Sequence, residues 1–411
     1  MIKGRFSTMT ALLGGTLLTL ALAAVPATAR PPELPLGDAD LPESRSTSTL
    51  APGVTLTTIV RGDEPADPAE IATTTRGPWR VFLLTIDPRQ ATGEIRAVKG
   101  PDLAGVETTS QLTAEAGALA GVNASFFTFT ASRDYPGDPV GLGVYDGRLL
   151  SEPTTDPAEV SVLFHRDGLR PSYGPFSWSG HVQGRDLRVG LEFVNHPPAL
   201  PAGCEALADQ AACPTDGDTV LFTPEFAAST PSGPGTELVL DSRGCVKRRA
   251  DQRGTALAKG EQSLQATGSD VVALRRLAGC VKIDSTLRDE AGREVRLGRD
   301  SQAVNGRYQL LRNGENVLPP IDNSFFARNP RTFIGTKSTG ELVLGVIDGR
   351  QTTSVGTTLE ETAAVAKSLG LRDAINLDGG GSSTMVAKGG LINKPSGSAE
   401  RKVGDALVYT P

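Results

Sequence analysis

The residues best suited to chemistry lie in one stretch, Asn376-Leu-Asp-Gly-Gly-Gly-Ser-Ser-Thr384. A carboxylate is followed by three glycines and two hydroxyls. Glycine lets a backbone approach a ligand closely, and successive exposed N–H groups form a concave anion site. The plain alternative is a glycine-rich hairpin turn: Ala374-Ile375 before it and Met385-Val386-Ala387 after it predict a strand that turns and returns. A second carboxylate, Asp348, ends the apolar run Glu341 to Asp348 and is followed by Gly349-Arg350. Asp348 and Asp378 form a candidate catalytic pair, because glycosidic cleavage uses two carboxylates. Against this, Asp-Gly is a common turn dipeptide in which the aspartate merely caps the turn. Arg331 and Arg350 flank the same run, and their planar guanidinium forks suit phosphate oxygens. Gly379, Gly380, Gly381, Ser382 and Ser383 are candidates for holding an oxyanion. As nucleophiles the serines lack a G-x-S-x-G elbow and a positioned histidine. Asn123-Ala-Ser-Phe-Phe127 offers an amide and two aromatics, of which Phe126 or Phe127 could stack on a sugar face while the other packs in the core.

Positioning these residues requires strands that end near one another. Thr358-Leu-Glu-Glu361 is a capping-box pattern that opens a helix with Leu359, Ala363, Ala366 and Leu369 on one face, stopped by Gly370. With the strands on either side this predicts a β-α-β crossover near the C-terminus. Its two strands would be parallel, either adjacent or separated by another strand, and Asp348 and Asp378 would emerge at one sheet edge. Elsewhere the pattern is β-rich. Trp79 to Ile86 and Ile95 to Val98 read as strands, Ser110 to Ala116 as a short helix capped by Ser110, and Ala118 to Val122 as a buried strand. Gly141 to Val194 reads as a meander, and Thr219 to Thr223, Glu237 to Leu240, Gly244 to Lys247, Val271 to Leu274 and Cys280 to Ile283 as further strands. The expected class is α+β, with mixed β-sheets and few helices.

The N-terminus predicts export. Lys3 and Arg5 precede an apolar run from Ala11 to Val25 and an Ala27-Thr-Ala29 cleavage motif, so residues 1–29 read as a signal peptide. No cysteine follows the motif to carry a lipid, no apolar tail follows Val408, and no membrane span is expected in the mature chain. Residues 30–52 are rich in Pro, Ser and Thr and read as a flexible leader, with one domain over 53–411. In an exported protein the four cysteines (Cys204, Cys213, Cys245, Cys280) favour two disulfides, of which Cys204–Cys213 with Cys245–Cys280 is the simplest of three pairings. Cysteine spacing and scattered histidines give no metal motif, and neither metal nor cofactor is expected. The net charge of −6 argues against nucleic acid as partner.

Four segments in order resemble the phosphodiester glycosidase family: Gly121-Val-Asn-Ala-Ser-Phe-Phe127, Pro330-Arg-Thr-Phe-Ile-Gly335, Val346-Ile-Asp-Gly-Arg350 and Ala374 to Thr384. Gly389-Gly-Leu-Ile-Asn393 and Arg401 before the closing strand also fit. The resemblance covers roughly residues 75 to 410 and is weakest between about 195 and 300. Two departures stand out: Ala124-Ser125 replaces a glycine-containing pair, and the middle is longer and carries cysteines. The resemblance implies hydrolysis of the bond between a sugar's anomeric carbon and a phosphodiester oxygen. A phosphomonoester is a good leaving group, which shifts the demand from a strong general acid toward phosphate binding and charge stabilisation. On that basis Asp348 and Asp378 would do the carboxylate work. Arg331, Arg350 and Gly379 to Ser383 would hold phosphate, and Asn123 and Asn376 would hold sugar hydroxyls. The alternatives are a non-catalytic carbohydrate- or wall-binding module, and a glycosidase acting on a linkage without phosphate.

Overall fold

Strand Trp79–Ile86 shows how the core is layered. Val81 and Leu83 are buried in one apolar cluster, and Phe82, Leu84 and Ile86 in another. A strand buried on both faces needs a covering layer on each side. In the computed structural model, which describes residues 1–4, 7, 32–165 and 169–411, that strand is third in an eight-stranded sheet. The order is Glu43–Ala51, Val54–Arg61, Trp79–Ile86, Leu342–Ile347, Arg331–Lys337, Leu371–Asn376, Gln309–Arg312 and Glu315–Asn316.

Helix Leu359–Ser368 covers one face with Leu359, Ala363, Val365 and Ala366. Thr358 and Glu361 cap each other's N–H groups as the sequence predicts, and Gly370 follows with φ +79°. The other face packs on a five-stranded sheet that includes Met385–Ala387, Ala120–Asn123, Asp405–Thr410 and Glu94–Lys99, through Ile95, Val122, Leu407 and Tyr409. Further sheets hold the middle of the chain. One apolar cluster there joins Val182, Leu238, Leu264 and Leu274. The two disulfides form the short-loop pairing, Cys204–Cys213 and Cys245–Cys280.

Helix Leu359–Ser368 connects two strands that are not direct neighbours. Arg331–Lys337 lies between Leu342–Ile347 and Leu371–Asn376, antiparallel to both, so the outer two run parallel one strand apart.

Several expectations need correction. The segment read as a flexible leader is structured from Glu33 onward. Leu34, Leu36 and Leu41 are buried beside Trp79 and Val81, Arg61 Nε donates to the Leu36 carbonyl at 2.6 Å, and Glu43–Ala51 is an edge strand. Three leucines supply enough apolar area to pin a Ser/Thr-rich segment whose remaining side chains suit an exposed edge. Val271–Arg276 is a helix rather than a strand: Val271 and Leu274 are buried at helical spacing, which overrides the β preference of two valines. The first helix is Thr109–Glu115, capped by Thr108 with Gln111. The strand after the three glycines does not close a hairpin; Met385–Ala387 pairs with Ala120–Asn123 in the other sheet. The apolar run and cleavage motif of the expected signal peptide lie outside the described residues. Among the described residues no helix is long and apolar enough to cross a membrane.

Candidate active site

The antiparallel middle strand brings its first residue, Arg331, to the edge where the two outer strands end. Arg331 pairs with Ile347, and Leu377 N–H donates to the Thr332 carbonyl at 2.9 Å. A cavity of about 360 Å³ opens there, with Asp378 and Asn376 on its wall together with Arg331, Arg350, Arg401 and Gly379 to Gly381.

The main chain of Asp378 is pinned from both sides. Its N–H donates to the Ala124 carbonyl at 2.9 Å, and its carbonyl accepts from Asn123 Nδ2 at 2.6 Å. The side-chain Oδ1 accepts the Gly379 N–H at 2.9 Å. The carboxyl keeps a partial opening to the cavity but is otherwise walled by protein, and this desolvation pushes its pKa up to about 6. The Arg401 charge and the Gly379 N–H pull the value down, while the buried Asp405 carboxylate pushes it up. Among the described residues Asp378 is the one acid on the cavity wall.

Three arginines share the cavity wall with it. Arg331 is buried, with Nε on the Thr357 carbonyl at 3.2 Å and Nη2 on the Phe325 and Ala327 carbonyls at 2.8 and 2.7 Å. Burial lowers its pKa to about 10, which leaves it charged at neutral pH. Arg350 adopts φ +58° and places Nε and Nη2 on Asn329 Oδ1 at 3.1 and 2.7 Å. Arg401 lies over the Phe129 ring at 4.7 Å. No carboxylate of the described residues lies within ion-pair distance of any of the three (compare Lys247, 2.7 Å from Glu261). Three unpaired cations beside one carboxyl of raised pKa make a site for an anion.

The glycines do not present the row of free N–H groups expected of them. They wind into a 3₁₀ turn, Gly380–Ser382, in which the Gly380 N–H donates to the Pro330 carbonyl at 2.9 Å and the Ser382 N–H to the Gly379 carbonyl at 3.1 Å. Their use is close packing. Gly380 has φ +60°, and a Cβ on Gly381 would overlap the Arg401 guanidinium.

Several candidates are not on the wall. Both carboxylate oxygens of buried Asp348 are engaged, by Asn393 Nδ2 at 2.8 Å and by the Lys394 N–H at 3.1 Å. The strand end delivers Asp348 to the expected edge, but its side chain ties down the 393–394 loop. Asn123 is wholly buried; besides holding Asp378, its Oδ1 accepts from Thr332 Oγ1 at 2.8 Å and from the Thr384 N–H at 3.1 Å. Ser382 and Ser383 are also buried. Their hydroxyls, Thr384 Oγ1 and Asn376 Oδ1 have no hydrogen-bond partner among the described residues. Asn376 is the one of these four that reaches the cavity.

Of the two candidate aromatics, Phe126 lines the cavity and Phe127 packs with Leu112 and Val403. Asn305 fixes Phe126, accepting its N–H at 3.0 Å, and the Phe325 ring lies 5.9 Å away. Ser324, Phe325, Asn329 and Arg401 complete the wall. Phe325 and Asn329 come from a loop with no strand or helix pattern to mark it, and Arg401 stands out in sequence only as part of the closing motif.

A family model described as phosphodiester glycosidase matches residues 235–410. A curated relative, the uncharacterized SPbeta prophage-derived protein YomE of Bacillus subtilis, is 41% identical over 83 residues; the match spans 20% of this chain and 13% of that relative's length. A solved structure of a candidate exported protein from Burkholderia pseudomallei is 25% identical with TM-score 0.78, covering 92% of this chain and 98% of that one. A hypothetical protein from Synechocystis shares the fold at 17% identity with TM-score 0.65, covering 86% of this chain and 62% of that one.

Proposed function

We propose, for a chain whose residues 235–410 match the phosphodiester glycosidase family model, that it hydrolyses the bond between a sugar's anomeric carbon and a phosphodiester oxygen. Water adds to the anomeric carbon and the C–O bond breaks. Its electron pair leaves on the phosphate, and a proton from water is released. The products are a free sugar and a phosphomonoester.

The observation that carries this reading is a single acid, Asp378, on a wall with three guanidiniums that have no carboxylate partner among the described residues. A glycosidase acting on a neutral linkage needs an acid to protonate the leaving oxygen and has little use for three cations. A phosphate leaves as an anion, so guanidiniums can take the place of that acid. In this reading Arg331, Arg350 and Arg401 hold the phosphate, and Asp378, ionised, meets the positive charge that develops at the anomeric carbon. Asn376 meets a sugar hydroxyl from the same wall, and Phe126 and Phe325 take the sugar's apolar face. Asn123 and Asp348 act as positioning residues. The signal-like N-terminus and two disulfides support an exported protein working outside the cytoplasm.

The test is mass spectrometry of products from a panel of sugar-1-phosphodiesters and matching aryl glycosides. Free sugar with a phosphomonoester from the first set, abolished in Asp378→Asn, supports the reading. Turnover of the aryl glycosides alone, or glycan binding with no product, overturns it.

A further inference from the structure

Arg401 belongs to two cavities. Beyond the one holding Asp378 lies a second, of about 470 Å³, lined by Phe129, Arg133, Pro136, Lys402 and Val106 as well as Arg401. The Arg401 side chain forms the partition: its guanidinium carbon lies 4.7 Å from the centre of the Phe129 ring, and the group sits against Gly381, where a Cβ would overlap it. The second cavity carries three cations and no acid on its wall. None of Arg133, Arg401 and Lys402 has a carboxylate of the described residues within ion-pair distance. Glu107 acts on Lys402 through space but is not part of the wall. In a chain of net charge −6, three unpaired cations around one apolar floor need an explanation.

Resting on the phosphodiester reading above, we propose that this second cavity is a leaving-group subsite for a substituent that is itself anionic. The substrate class is a chain in which glycosyl phosphodiester units repeat. With the scissile phosphate on Arg401, the group esterified to it can run past Phe129 into this second cavity. Phe129, Pro136 and Val106 offer an apolar surface for the intervening unit, and Arg133 and Lys402 meet the phosphate one unit further on. A neutral or purely apolar leaving group would leave both cations unused.

The experiment compares kcat/KM for two sugar-1-phosphodiesters, one with a methyl aglycone and one whose aglycone ends in a second phosphate. The wild-type protein and the double variant Arg133→Gln/Lys402→Gln are both measured. Exposed charge pairs are individually weak, so the wild type should prefer the extended substrate by about three- to tenfold at low salt. The double variant should bring the ratio of the two substrates to near one, and added salt should do the same in the wild type. Equal turnover of the two substrates by the wild type, or a preference that survives in the double variant, overturns the subsite while leaving the phosphodiester reading intact. If neither substrate is turned over, the parent reading fails. Calorimetric titration with the two phosphodiesters then decides the subsite by itself: tighter binding of the extended one, lost in the double variant, supports it, and equal binding overturns it.

Discussion

Asn123 Nδ2 donates to the main-chain carbonyl of Asp378 at 2.6 Å, across 255 positions of sequence. That bond ties the strand Ala120–Asn123 of one sheet to the end of Leu371–Asn376 in the other, and it sets where the Asp378 carboxyl stands. The same amide also serves Thr332 and Thr384 from its Oδ1.

Asn123→Ala should therefore leave three buried polar groups without partners. A loss of about 2–4 kcal/mol in folding stability is expected from orphaned buried groups. Among the molecules that remain folded, kcat should fall with little change in KM, because the substrate-binding arginines are untouched. Denaturant melts and steady-state kinetics check both halves; a raised KM with unchanged kcat would assign Asn123 to substrate contact instead.

The pH dependence follows from Asp378, whose pKa stands at about 6 in the folded protein against an ordinary value of 3.8. Activity that needs the carboxylate should rise with pH through about 6 and then level off. For stability the sign is opposite: a carboxyl whose folded pKa is raised favours folding while protonated, and that contribution is lost as pH climbs through the interval. Asp378→Asn removes the cost of the buried charge. Relative to wild type, it should gain up to roughly 3 kcal/mol between pH 4 and pH 8. Melts at the two pH values measure this; a constant difference would mean that the Asp378 carboxyl is not desolvated.

Asp348 separates positioning from chemistry. Asp348→Asn turns one acceptor oxygen into a donor that faces either Asn393 Nδ2 or the Lys394 N–H. Stability should drop by about 1–3 kcal/mol. Activity per folded molecule should stay within about tenfold of wild type, whereas removing a reacting group such as Asp378 should cost on the order of a thousandfold or more. Equal losses in the two folded variants would return Asp348 to the chemistry.

Gly381→Ala tests the partition. The new methyl overlaps the Arg401 guanidinium and must displace it from Phe129. Weaker phosphate binding is expected, seen as a KM raised about tenfold for a single lost charge-assisted contact, with a small change in melting temperature. An unchanged KM would remove Arg401 from the phosphate site.

Much of the framework was legible from local pattern. Thr358 with Glu361 and then Gly370 marked a helix, the apolar run before Asp348 marked a strand, and the order of motifs marked the family-like C-terminal part. These signals survive in sequence because capping and strand burial are enforced by residues a few positions apart. The short-loop disulfide pairing was the simplest of three and is the one formed. The Ser/Thr-rich composition of residues 30–52 concealed three leucines that find their core only against Trp79. Val271–Arg276 took its helical form from the spacing of its buried contacts and not from the preference of its valines.

The sequence by itself determined which residues could act: the Asp378 carboxylate, the arginine forks of Arg331 and Arg350, and a glycine run that lets side chains come close. Only the tertiary structure decided which of them face one cavity. Asp348 and Asp378 end parallel strands at the same edge, yet one carboxyl is consumed by the 393–394 loop and the other opens to the cavity. Asn123, a candidate ligand by type, is spent inside as a clamp, and Arg401, with no pattern of its own, is brought onto the wall. The physical reason is that hydrogen-bond partners of a buried polar group are chosen by packing across hundreds of residues, and no local periodicity encodes them.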